Sequence, residues 1–163
     1  MKRIRLFAAL LVIVFVLTLT AAALQPGTNN VPAGSPAQAQ IEHSSAKSSA
    51  TRPLSDFVRV GNILYLSGKL GTDSSGKLVS GGIAAETKQT MENIKSTLES
   101  NGSSMDHVIK CTVMLADIQE RDAMSAVYVT FFKKERMPAR SAFGTSGLAL
   151  NGRVEIECMA VVK

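Results

Sequence analysis

Tryptophan is absent from the 163 residues, and cysteine and histidine each occur only twice. Two cysteines, Cys111 and Cys158, are too few for a disulfide scaffold, and no Cys-x-x-Cys pair suggests zinc. Aromatic residues are scarce and form no stripe interleaved with basic ones, which argues against a stacking platform for nucleic acid. His43 sits in a polar tract and His107 just before a strand pattern, so the chain has no histidine pair suited to RNA cleavage. No glycine-rich loop joins a strand to a helix, so Gly144 and Gly147 read as turn formers rather than a phosphate cradle. No internal repeat is present. The formal net charge is +5, but Lys2, Arg3 and Arg5 supply three of those charges, leaving +2 for the rest. The high isoelectric point is therefore no nucleic-acid footprint.

What is present begins with a leader. Residues 1–5 are basic, and residues 6–24 are almost continuously apolar, broken only by Thr18 and Thr20. Ala21-Ala22-Ala23 and Ala37-Gln38-Ala39 offer cleavage sites, the plan of a signal peptide. The run is also nearly long enough to span a bilayer, so an uncleaved membrane anchor is the alternative, and the membrane is expected only through this segment. Either reading predicts export of the domain to the periplasm or beyond. Residues 25–52 are rich in Ser, Ala, Pro, Asn and Gly and are expected to form a disordered linker. Residues 53–163 are expected to form the one folded domain.

In that domain, residues 57–60 and 63–68 read as strands joined at Gly61-Asn62, a hairpin turn signal. A loop from 71 to 82 follows. Thr87, Met91, Ile94 and Leu98 then recur at helical spacing, with Asn101-Gly102 as the stop signal. Residues 108–116 alternate as a strand, with Ile109, Cys111, Val113 and Leu115 expected on one face and Val108, Lys110, Thr112 and Met114 on the other. Asp117 followed by Glu120 resembles a capping box opening a helix to about residue 133, with Met124, Val127, Tyr128 and Phe131 inward. Met137-Pro138 ends it. The stretch 138–163 implies two strands. In the second, Val154, Ile156, Cys158, Ala160 and Val162 alternate with Arg153, Glu155, Glu157, Met159 and Val161. The class is α+β, a mixed sheet with both helices on one face. The other face keeps Met114, Met159 and Val161, which predicts a homo-oligomer packed through it.

The order of these pieces resembles a known family. They are Val60-Gly61-Asn62 leading to Leu66-Ser67-Gly68, Met91-Glu92-Asn93-Ile94 and Val108-Ile109-Lys110-Cys111-Thr112-Val113. Tyr128 with Phe131-Phe132, Pro138-Ala139-Arg140-Ser141, and Val154-Glu155-Ile156-Glu157 with Ala160-Val161 complete the set. Across the whole domain the chain resembles the RidA/YjgF family of imine deaminases, and the Pro-Ala-Arg-Ser and Glu-Ile-Glu pair is the most specific part.

The resemblance implies a chorismate-mutase-like fold and a homotrimer with a site in each cleft between subunits. It implies hydrolysis of 2-iminobutanoate and 2-iminopropanoate to 2-oxo acids and ammonia, without metal or organic cofactor. Arg140 would bind the substrate carboxylate, a group that a guanidinium grips bidentately. Glu155 would position the attacking water, although Glu157 shares its strand face and spacing alone does not choose between them. Glu157 is expected instead to pair with Arg153 or Lys110. Ser67 and Gly68 would line the pocket. Leu54 stands where the family often has an aromatic residue, Lys69 in place of a common glutamine, Ser125 in place of an asparagine and Ala142 in place of a cysteine. Lys69 would offer a second cation. The two cysteines read as buried thiols, with a disulfide as the alternative that the family fold leaves open. A non-catalytic trimer that binds a small carboxylate is the rival function. A ribonuclease or chaperone-like role finds no supporting residues.

Overall fold

A computed structural model describes residues 39–44 and 53–163 of the chain. The expected leader, 1–24, lies outside the described residues, and no helix among those described is long and apolar enough to cross a membrane. Seven strands form one mixed sheet: β1 (Ile41–His43), β2 (Phe57–Val60), β3 (Ile63–Leu66), β4 (Lys69–Leu70), β5 (Val108–Leu115), β6 (Ala139–Gly144) and β7 (Val154–Val161). Two helices, α1 (Gly82–Glu99) and α2 (Arg121–Tyr128), join them. The strand order is β1-β2-β3-β7-β5-β6, with β4 pairing β7 on the β3 side. All pairs are antiparallel except β5 with β6, which are parallel and therefore need the α2 crossover between them.

The local chemistry explains most elements. Gly61 turns the β2–β3 hairpin at φ 59°, a left-handed value that glycine adopts without steric cost. Thr87, Met91, Ile94 and Leu98 are all buried on one stripe of α1, as the spacing predicts. Val154, Ile156, Cys158 and Ala160 are buried beneath the helices, while Glu155, Met159 and Val161 stay half-buried on the opposite face. Each large aliphatic side chain in this core contributes about 1.5–3 kcal/mol through burial. Both helices thus cover one face, and the other keeps Tyr65, Met114 and Met159 uncovered in the single chain.

Five expectations are corrected. The linker read across 25–52 contains β1, whose Glu42 opposes Arg59 of β2, and Ser44 Oγ accepts from Asp56 N at 2.8 Å. Backbone pairing to an open sheet edge orders a segment that has no core of its own. The alternation expected along β5 fails at its start. A register shift between Val108 and Lys110 buries Val108 and leaves Ile109 42% exposed, because a bulge moves successive side chains to the other face. Asp117 does cap its helical turn, accepting from Gln119 N at 2.9 Å, but Glu120 pairs with Arg153 instead of closing the box. Arg153 is thereby engaged, and Lys110 donates to Ser141 Oγ at 2.8 Å, so neither supplies the expected partner of Glu157.

The cysteines are the fifth correction. Cys111 and Cys158 stand directly opposite on β5 and β7, with Cα atoms 4.1 Å apart, and are joined by a disulfide rather than held as thiols. Directly opposed residues of an antiparallel pair are close enough for a bridge. The bond is buried under the helices and closes a loop of 47 residues.

Candidate active site

A cleft lies between β4 with its following loop, α1, and the turn before β7. Its volume is about 690 Å³. Leu54, Ser67, Gly68, Lys69 and Glu155 line it, which gathers five of the eight residues singled out by sequence. Ser67 Oγ donates to Ser55 O at 2.6 Å, tying the β3–β4 junction to the segment that carries Leu54. Asn93 of α1 donates to the carbonyls of Leu70 and Thr72, both at 2.9 Å, and so fixes β4 against the helix.

Gly68 explains how Glu155 arrives. Glu155 belongs to the face that the helices leave open, yet its carboxylate passes directly beside Gly68 to reach the cleft. A Cβ on residue 68 would overlap Glu155 Oε1, and only glycine leaves that room. The glycine is thus a close-approach residue rather than a turn residue. Glu86, itself buried, holds the other side: its Oε2 accepts from Arg153 N at 2.8 Å, anchoring the start of β7 two residues before Glu155.

Lys69 is not the spare cation that the sequence suggests. Its Nζ lies 3.0 Å from Asp56 Oδ1, and the pair is largely shielded from solvent. The neighbouring Asp56, brought in by chain reversal through the β2–β3 hairpin, neutralises it.

Arg140, Ser125 and Ala142 lie elsewhere. Arg140 is on β6, the far edge strand, level with Cys111 of β5. Its guanidinium carbon lies 4.9 Å from the centroid of the Tyr128 ring on α2, a cation–π contact on the helix-covered side. Ser125 sits one turn before Tyr128 on the same helix, and Ala142 follows Arg140 at the next same-face position of β6. Burial pushes the Tyr128 phenol up to about 12, an effect that the nearby Arg140 charge partly opposes. The ring is therefore a neutral platform for the guanidinium throughout the physiological range.

Arg140 and Glu155 thus do not meet within one chain. Two strand spacings and three residues of rise separate their Cα atoms by about 14 Å, and their side chains leave opposite faces of the sheet. The chain thus presents two separate features, a cleft beside β4 lined by Glu155 and an arginine over an aromatic ring at β6. Among the described residues no group of three His, Cys, Asp or Glu could hold a metal ion.

Sequence reasoning missed Asn93, Gln89, Asp56 and Leu150 as cleft residues. For Asn93 a signal existed, a polar residue beside the buried Ile94 on the helix; for Leu150 there was none.

With this geometry the comparisons are decisive. Residues 44–162 match the family described as Endoribonuclease L-PSP. The chain belongs to this family. The RidA/YjgF resemblance of its motifs is thereby borne out. A human relative, named 2-iminobutanoate/2-iminopropanoate deaminase, is 41% identical over 113 residues, 69% of this chain and 82% of that protein. A bovine protein of the same name is 43% identical over the same share of each chain. The crystal structure of yeast Mmf1 superposes with a TM-score of 0.70 at 32% identity, covering 76% of this chain and all of that one. RidA from the Antarctic bacterium Psychrobacter gives 0.65 at 34% identity, with 69% and 90% covered. The chorismate-mutase-like fold expected from the motifs is the fold observed.

Proposed function

We propose that this family member hydrolyses 2-imino acids, with 2-iminobutanoate and 2-iminopropanoate as the reference substrates, to 2-oxo acids and ammonia. The observation that carries this reading is Glu155 seated beside Gly68 in a cleft that needs one more element, a carboxylate anchor. Arg140 supplies that element from a neighbouring protomer when the β6 edge of one chain meets the β4 side of the next. Such a contact uses different surfaces on its two partners and closes into a ring. The uncovered apolar residues of the open sheet face favour a homotrimer of this kind.

The chemistry follows from the two groups. Arg140 grips the substrate carboxylate through two parallel N–H donations. The imine carbon is already electrophilic, and more so when its nitrogen is protonated. Glu155 accepts a hydrogen bond from a water and draws its proton as the oxygen adds to that carbon. The resulting carbinolamine expels ammonia after proton transfer to nitrogen, leaving the 2-oxo acid. Positioning supplies most of the acceleration, because the uncatalysed addition is itself easy.

Arg140→Ala is the direct test. Ammonia release from imines generated by an amino-acid oxidase should fall about a hundredfold in kcat/KM, the cost of losing a charged anchor. Equal rates in variant and wild type would end this assignment. The rival reading, a non-catalytic carboxylate binder, leaned on Lys69 and Leu54, and the pairing of Lys69 with Asp56 weakens the first of these supports. We also propose that the domain is exported. The buried Cys111–Cys158 disulfide supports this, since such bonds persist in oxidising compartments.

A further inference from the structure

The turn before β7 contains a residue that its own conformation does not favour. Leu150 adopts φ 59° and ψ 14°, left-handed values at which a Cβ crowds the following carbonyl. Asn151 follows at φ 59°, but asparagine tolerates that region and leucine does not. The surroundings hold the turn in place. Gly152 N donates to Ala149 O at 3.0 Å, and Glu86 Oε2 receives Arg153 N just beyond. Packing does not account for the leucine either, because its side chain is 58% exposed. Strained residues held by a rigid frame cluster where ligands are gripped.

Leu150 lines the cleft, and so does Leu54, which is 50% exposed. These two apolar side chains flank a space in which the α1 wall is polar, formed by Gln89, Asn93 and Thr97. In the single chain the cleft holds about 690 Å³, room for the neighbouring protomer's Arg140 and for a substrate longer than a three-carbon imino acid.

We propose that Leu150, with Leu54 of the same cleft lining, is a specificity-determining residue that directs the cleft towards 2-imino acids with apolar side chains of four or more carbons. The proposal rests on the deaminase reading above. With the carboxylate held by Arg140 of a neighbouring protomer and the imine carbon beside Glu155, the substrate side chain extends towards the cleft mouth. There it removes the exposed leucine surfaces from water, and the longer the chain, the larger the area removed.

The test compares full-length wild type, Leu150→Gly and Leu150→Met on the imines formed in situ from leucine and from alanine by an amino-acid oxidase. In the wild type, kcat/KM for the leucine imine should exceed that for the alanine imine. Leu150→Gly should lower the leucine-to-alanine ratio about tenfold, the discrimination that a few lost methylene contacts provide. Its thermal midpoint should hold or rise, because glycine adopts φ 59° without strain. Leu150→Met should preserve the ratio. An unchanged ratio in Leu150→Gly would overturn the proposal, as would a change in the mass of the assembly, which would make Leu150 an interface residue. Absence of turnover of either imine by the wild type would instead defeat the deaminase reading, and the proposal with it.

Discussion

Two inactive variants should repair each other. Arg140→Ala removes the anchor and Glu155→Gln removes the base, and each should leave a homotrimer with about one hundredth of the activity or less. Within one chain the two groups stand about 14 Å apart at Cα and leave opposite faces of the sheet, so the proposed site draws one from each of two protomers. When the variants are mixed equally and assembled at random, a site is whole only under one condition. Its arginine must come from a Glu155→Gln chain and its glutamate from an Arg140→Ala chain. Each choice has even odds, so about one quarter of the sites are restored. Mixed trimers from co-expression, purified through a different tag on each variant, should be assayed for ammonia release. Trimers selected to hold both chains should show a rate far above either parent. A mixed assembly no more active than its parents, at confirmed trimer mass, would refute the split site and the subunit arrangement proposed with it.

The disulfide offers a second test. Closing a loop of 47 residues stabilises a domain by about 4 kcal/mol in the chain-entropy account, so chemical denaturation of reduced and oxidised protein should show midpoints separated accordingly. Coincident midpoints would show that the bridge contributes nothing. Tyr128 supplies a pH dependence. Its phenol ionises at about 12 in the folded chain and near 10 when unfolded, so the unfolded state loses its proton first. Stability contributed below pH about 10 is therefore lost as pH rises towards about 12, and Tyr128→Phe should show a flatter decline of thermal midpoint over that window. Its hydroxyl is buried with no hydrogen-bond partner, so the same variant should match or exceed wild-type stability at neutral pH.

The period-two run of β7 and the helical stripe of α1 were legible because burial beneath a neighbouring layer imposes one repeat on each element. The Pro-Ala-Arg-Ser and Glu-Ile-Glu motifs were legible through their likeness to the family whose model the chain matches. The exposed polar composition around β1 hid a strand, since an edge strand is held by backbone bonds that composition does not report. The bulge at Val108 was hidden for the same reason: an extra residue in a ladder depends on the partner strand.

By itself, then, the sequence determined the class of fold and the family. Only the tertiary structure decided that Cys111 meets Cys158, that Asp56 neutralises Lys69, and that Leu150 faces the cleft in a left-handed turn. It alone showed that Arg140 and Glu155 belong to separate halves of the molecule. Periodicity along a chain records which face a residue takes, because the layer that buries it acts on every residue in turn. Distances between residues far apart in sequence are set by register and chain reversal, which no single segment contains.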